Sequence, residues 1–131
     1  MPYSPLAAGH LTRPTWYTDT HRSKTDRVAM GKYDRTESQD MQIVSRVAAL
    51  AKQYGVNMQQ IALAWHWAKG VASPIVGATK SYYLDDAVNA LSIKLTDAGL
   101  AYLEELYVPH RIIGAIDHNP ADGVMLLDEK K

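Results

Sequence analysis

Apolar residues recur through the middle of the chain with the period of a helix. Ile43, Val44, Val47, Ala48, Leu50 and Ala51 fall on one face of a helix predicted over residues 40–54, with Asp40 as its cap. Gly55 follows at the position where a left-handed residue ends a helix. Asn57 opens a second helix over 57–69, and Gln60, three residues on, gives the spacing of a capping box. Ile61, Ala64, Trp65 and Ala68 share a face of that helix, which Lys69 and Gly70 close. A third helix over 81–91 carries Leu84, Ala87, Val88 and Leu91 at helical spacing. A fourth, over 96–107, is capped by Thr96 and carries Leu100, Leu103, Leu106 and Tyr107.

Strand patterns are scarce. Residues 73–78, SPIVGA, are almost continuously apolar, as in a strand buried on both faces of a parallel sheet. Residues 3–8 read only as the end of a strand, because Pro5 interrupts a hydrogen-bonded ladder. Residues 9–39 show no period and predict a long loop with one short helical turn. Residues 108–131 predict a tail, whose Met125, Leu126 and Leu127 need a surface to cover them. One strand and one strand end cannot satisfy a sheet's backbone, so the expected fold is part of a larger α/β body, mostly helical as it stands.

Charge and composition narrow the chemistry. The 131 residues suit one domain, and the formal net charge of zero gives no field to recruit nucleic acid or anionic lipid. Residues 10–35 are locally basic, with six Lys/Arg against three Asp, which fits a solvated loop or a segment lying near an anion. The absence of cysteine excludes disulfides and thiolate chemistry. No signal-peptide core or membrane-length apolar run is present, so cytoplasmic residence without membrane contact is expected. The five histidines are too dispersed to predict a metal site. Asp85 and Asp86 are adjacent on a helix and point apart, which argues against paired acid/base work.

The junction from residue 73 to 84, SPIVGATKSYYL, runs from strand through glycine into helix. A glycine there admits a ligand close to the backbone, and the helix start offers free amides and a positive dipole end, which together suit a phosphate. Thr79, Lys80 and Ser81 add donors and charge. Eight-stranded barrels build their recurring phosphate site after strands seven and eight, and the segments SPLAAG (4–9) and GATK (77–80) are candidates for those two turns. The same junction also occurs as a purely structural turn.

Several motifs in order, SPLAAG at 4–9, QIALAW at 60–65, PIVGAT at 74–79 with LDD at 84–86, and LEELYVPH at 103–110, make the chain resemble the carboxy-terminal part of the aldo-keto reductase family. The likeness is greatest to its bacterial NADP-dependent branch. The resemblance implies a fragment of an (β/α)8 TIM barrel that reduces aldehydes or ketones with NADPH and no metal. It places the end of strand seven at 3–8 and strand eight at 73–78. It also implies a partial NADP site: Ser4, Pro5, Leu6 and Ala7, with Ala8 by its backbone, against the pyrophosphate; Arg13 and Arg22 as phosphate partners from the basic loop; and Gly77, Ala78, Thr79 and Lys80 around the 2′-phosphate. Tyr83 and Asp86 would face the adenine, while Ala87 stands where the family has an asparagine.

The family's catalytic Asp, Tyr, Lys and His precede the resembling segment, so no catalytic residue is assigned and independent catalysis is not expected. Met1 matches an internal position of the family, so the reading frame is expected to begin within a longer gene. Two functions stay open. The chain is the NADP(H)-binding part of a reductase, needing an amino-terminal barrel fragment, or it is a non-enzymatic helical interaction module or inert remnant prone to self-association.

Overall fold

The computed structural model describes residues 1–16, 33 and 36–109. Arg22, most of the predicted loop and the tail beyond residue 109 lie outside them. The described residues form four α-helices: α1 (Glu37–Tyr54), α2 (Met58–Ala68), α3 (Ser81–Asn89) and α4 (Asp97–Glu104). Two 3-10 segments, Ala7–Thr12 and Ala90–Ser92, complete the order.

Helix α1 starts earlier than its hydrophobic pattern predicts. Thr36 occupies the cap position without a side-chain cap bond, and its hydroxyl instead donates to the Asp40 carboxylate at 2.5 Å. Asp40 is therefore not the cap. It lies in the first turn with Glu37, where acids favour the positive end of the helix dipole. At the other end Gly55, at φ 65°, takes the left-handed conformation, and its amide reaches back to the last turn.

Asn57 and Gln60 close the capping box of α2: the Asn57 side chain accepts from the Gln60 amide at 2.9 Å, and Gln60 accepts from the Asn57 amide at 3.1 Å. Every residue from position 58 to position 64 is buried, so the first two turns of α2 are enclosed on all sides rather than along one stripe. Ile61 and Leu63 are fully enclosed, and Val44, Val47, Leu50 and Ala51 of α1 with Leu103 of α4 pack around Ile61. The buried polar Gln59 is satisfied by donating to the Tyr83 carbonyl at 2.9 Å, which fastens α3 to α2.

Helix α4 is capped by Thr96, whose hydroxyl accepts from the Gly99 amide at 3.1 Å, and it ends at Glu104, short of the predicted residue 107. Arg46 of α1 holds it in place, bonding the Tyr102 carbonyl, pairing with Glu105 at 2.7 Å and stacking over the Tyr102 ring.

The predicted buried strand over 73–78 is corrected by the structure. Among the described residues, extended pairing consists of one parallel bridge between Tyr3 and Ile75, with the Ile75 amide donating to the Pro2 carbonyl at 3.0 Å. Ile75 is 53% exposed and Tyr3 70%. The apolar stripe predicted for the third helix also faces outward, Leu84 at 51%, Val88 at 64% and Leu91 at 55%, while the neighbouring Ala90 is the buried residue. The pattern encodes burial, but burial needs layers on both sides of the strand and beyond α3, and the described residues do not supply them.

Candidate functional site

The bridge determines the site's layout. Tyr3 and Ile75 run parallel, so the turns that follow them, from Ser4 and from Gly77, leave the pair at the same edge.

The first turn is tightly wound. Ser4, Ala7 and Ala8 all have positive φ (55°, 48° and 55°), a conformation costly for residues with a Cβ. Local bonds hold it: Ala7 amide to Ser4 carbonyl at 3.0 Å, Ala8 amide to Ser4 hydroxyl at 3.2 Å, and Gly9 amide to Leu6 carbonyl at 2.9 Å. Pro5 is buried, and its carbonyl lies 3.0 Å from His66 Nε2 on α2. A carbonyl only accepts, so the imidazole N–H donates and ties the turn to the core. Gly9 is required by its φ of +95°, and a Cβ there would meet only the flexible end of Arg13, 2.9 Å from Nη2. Arg13 thus folds back across the turn, its Nε donating to the Gly9 carbonyl at 3.4 Å.

The second turn is open. Gly77, Ala78, Thr79 and Lys80 are all exposed. Gly77 is not left-handed, and a Cβ at this position would meet nothing within 4 Å. The glycine-enforced turn expected from sequence is absent, and what remains is unobstructed access to the backbone. Lys80 stands at the cap of α3 in extended conformation, with Nζ 5.6 Å from the centre of the Tyr82 ring. Among the described residues Lys80 makes no ion pair.

Charge links the two turns. The Tyr82 and Tyr83 rings lie 4.4 Å apart. The interaction of the two phenols raises the pKa of Tyr83 and lowers that of Tyr82. Lys80 and Arg13 both act on Tyr83 in the opposite sense, through their positive charge. Asp86 is half-buried and near enough to Tyr82 to oppose the lowering there. Ser4, Pro5, Leu6, Ala7 and Arg13 thus form one cluster, with Arg13 folded over Gly9, and Gly77, Ala78, Thr79, Lys80 and Tyr83 form another. The roles of His66 and Gln59 in holding these turns have no signal in the sequence, since their partners lie 61 and 24 residues away.

A second feature adjoins the first turn: an apolar cavity of about 560 Å³ lined by Ser4, Pro5 and Ala7 together with residues of α1, α2 and α4. At its rim Trp65 Nε1 donates to Glu104 at 2.7 Å, and Lys69 pairs with the same carboxylate at 3.1 Å. Lys69 and Trp65 together hold the Glu104 pKa below the ordinary glutamate value. Among the described residues no helix is long and apolar enough to cross a membrane.

The sequence matches the model of the aldo/keto reductase family over residues 1–108. It is 38% identical over 113 residues to the versiconal hemiacetal acetate reductase of Aspergillus parasiticus, covering 86% of this chain and 33% of that protein. Two yeast proteins provisionally named aryl-alcohol dehydrogenases are also similar. One, from Saccharomyces cerevisiae, is 38% identical over 112 residues (85% of this chain, 32% of that protein), and the other, from Schizosaccharomyces pombe, is 43% identical over 120 residues (88% and 32%). The chain spans about a third of the length of these curated relatives. With that match over most of its length, the chain belongs to the aldo/keto reductase family.

Proposed function

We propose that this chain supplies the phosphate-binding part of an NADP(H) site to an aldo-keto reductase-like oxidoreductase acting on aldehydes or ketones, and is not catalytic alone. The remaining barrel, with the proton donor and the nicotinamide pocket, would come from an amino-terminal portion. The parallel bridge carries this reading, because it sets the turns at Ser4 and Gly77 on one edge.

The residues present fit a phosphorylated dinucleotide. The left-handed backbone at Ser4, Ala7 and Ala8 turns the chain sharply beside Arg13, and Gly77 leaves its backbone open to a bulky anion. Lys80 and Arg13 bring two cations, and Thr79 and Ser81 bring hydroxyl donors at the start of α3. Tyr82 and Tyr83 offer a stacking surface where Ala87 has no hydrogen-bonding side chain. When bound, the cofactor supplies the hydride. Arg22 belongs to the same proposal as a further phosphate partner and lies outside the described residues.

Calorimetric titration of the chain with 2′,5′-ADP, 5′-AMP and NADPH tests this. The 2′-phosphorylated ligands should bind saturably and 5′-AMP far less well. Lys80→Ala should weaken 2′,5′-ADP by roughly tenfold, the scale of one charge-assisted hydrogen bond. No saturable heat with either 2′,5′-ADP or NADPH would refute the proposal. The exposed Leu84, Val88 and Leu91 favour one other reading, a non-enzymatic interaction module, in which neither nucleotide binds and the chain self-associates through that face.

A further inference from the structure

We propose that residues 124–127 of this chain, VMLL, occupy the apolar cavity beside Pro5, so that the chain's own carboxy-terminal segment covers it. The proposal goes beyond the cofactor assignment, which uses none of residues 110–131.

Among the described residues the cavity stays open. Pro5, Ile43, Val47, Ala62, Trp65 and Leu103 give it apolar walls, and its volume is about 560 Å³. Pockets of about 300–1,000 Å³ bury most of a small ligand, so this one has room for a few large side chains. Left to water, the walls forgo the gain of apolar burial.

The path of the chain selects the occupant. Leu103 and Tyr107 line the cavity. Gln39, in the first turn of α1, then donates its side-chain amide to the Val108 carbonyl at 3.1 Å, one turn before Ile43, which lines the cavity too. The last described residues are therefore tied at its mouth, and the carboxy-terminal segment sets out from there. Residues 110–123 reach up to roughly 45 Å when extended. That exceeds the roughly 14 Å radius of gyration of a domain of this length, so residues 124–127 can return to the mouth without strain. A segment on the same chain meets the cavity at an effective concentration on the order of millimolar, which favours it over a free partner of similar chemistry.

Composition matches the seat. VMLL is the longest run of large apolar side chains beyond the described residues, and the unbranched side chain of Met125 suits an irregular gap. Asp122 precedes the run, and Asp128 with Glu129 follows it. At the cavity's edge Lys69 carries three donors and stays 46% exposed while paired with Glu104, which offers those acids a partner. The other exposed apolar surface, Leu84, Val88 and Leu91 on α3, contributes no residue to the cavity.

The test uses the full chain. It has no cysteine, so Lys130→Cys accepts a single nitroxide label. In the isotope-labelled chain, the amide resonances of Ala62, His66 and Leu103 should lose intensity relative to the reduced label. That of Gln53, exposed on α1 outside the lining, should not. Adding Leu126→Asp and Leu127→Asp should restore the lost intensity and leave the helix resonances in place. A mixture of nitroxide-bearing chain without isotope and isotope-labelled chain without nitroxide should show no loss.

Any of four results would overturn the proposal: no loss at the cavity, loss centred on Leu84, Val88 and Leu91, loss that survives the two aspartates, or loss in the mixture. The last would give the cavity to a second copy of the chain.

Discussion

His66 joins the first turn to the core, and removing that tie has a calculable effect. Its Nε2 donates to the buried Pro5 carbonyl at 3.0 Å, and its ring lies edge-on to Trp65 at 5.2 Å. His66→Phe keeps the ring and its packing but deletes the donor. An orphaned buried carbonyl costs about 1–3 kcal/mol. Because His66 is only half-buried, water can take part of the donor's place, which puts the cost near 1 kcal/mol, about a fivefold change in the unfolding constant. Urea unfolding followed by tryptophan emission should show a lower midpoint at unchanged slope, since the surface exposed on unfolding is the same. The turn that His66 holds faces the pyrophosphate in the proposed complex. NADPH should therefore lose more affinity than 2′,5′-ADP, which engages mainly the turn after Gly77. His66→Phe with parental midpoint and parental NADPH affinity would show that the bond positions nothing.

Two further effects can be measured on the isolated chain. Asn57→Ala removes the cap of the most enclosed helix and should lower stability by about 1 kcal/mol in the same urea assay, with Gln60→Ala giving a non-additive double mutant because the two side chains form one box. Glu104 has its pKa lowered by Lys69 and Trp65, so its contribution is full above the unfolded glutamate pKa near about 4.3 and is lost as pH falls through the lower folded value. Because that carboxylate is 37% exposed, the amount is at most about 1 kcal/mol, and Glu104→Gln should lower stability by up to that amount above pH 6 and flatten the profile in the acid range.

The helical segments were legible because their signals are local. The capping box of Asn57 and Gln60, the left-handed Gly55 and the Thr96 cap each depend on residues within one turn. The start of α1 differs from the expectation because Asp40 lies in the first turn, accepting from the Thr36 hydroxyl, instead of capping the helix. The strand over 73–78 was misjudged because its apolar run states what it would gain on burial, not whether anything covers it. The Tyr3 and Ile75 pairing, 72 positions apart, could not be read from either segment alone.

Sequence by itself determined the helices, their caps and the kinds of residue in the two turns, because these depend on spacing within a few residues and on the chemistry each side chain carries. Tertiary structure alone decided that the turns share an edge, that His66 holds Pro5, and that α2 is flanked by α3 on one side and by a cavity on the other. Those relations arise between segments distant in the chain. They are set by which apolar faces find one another during packing, and no local pattern records that choice.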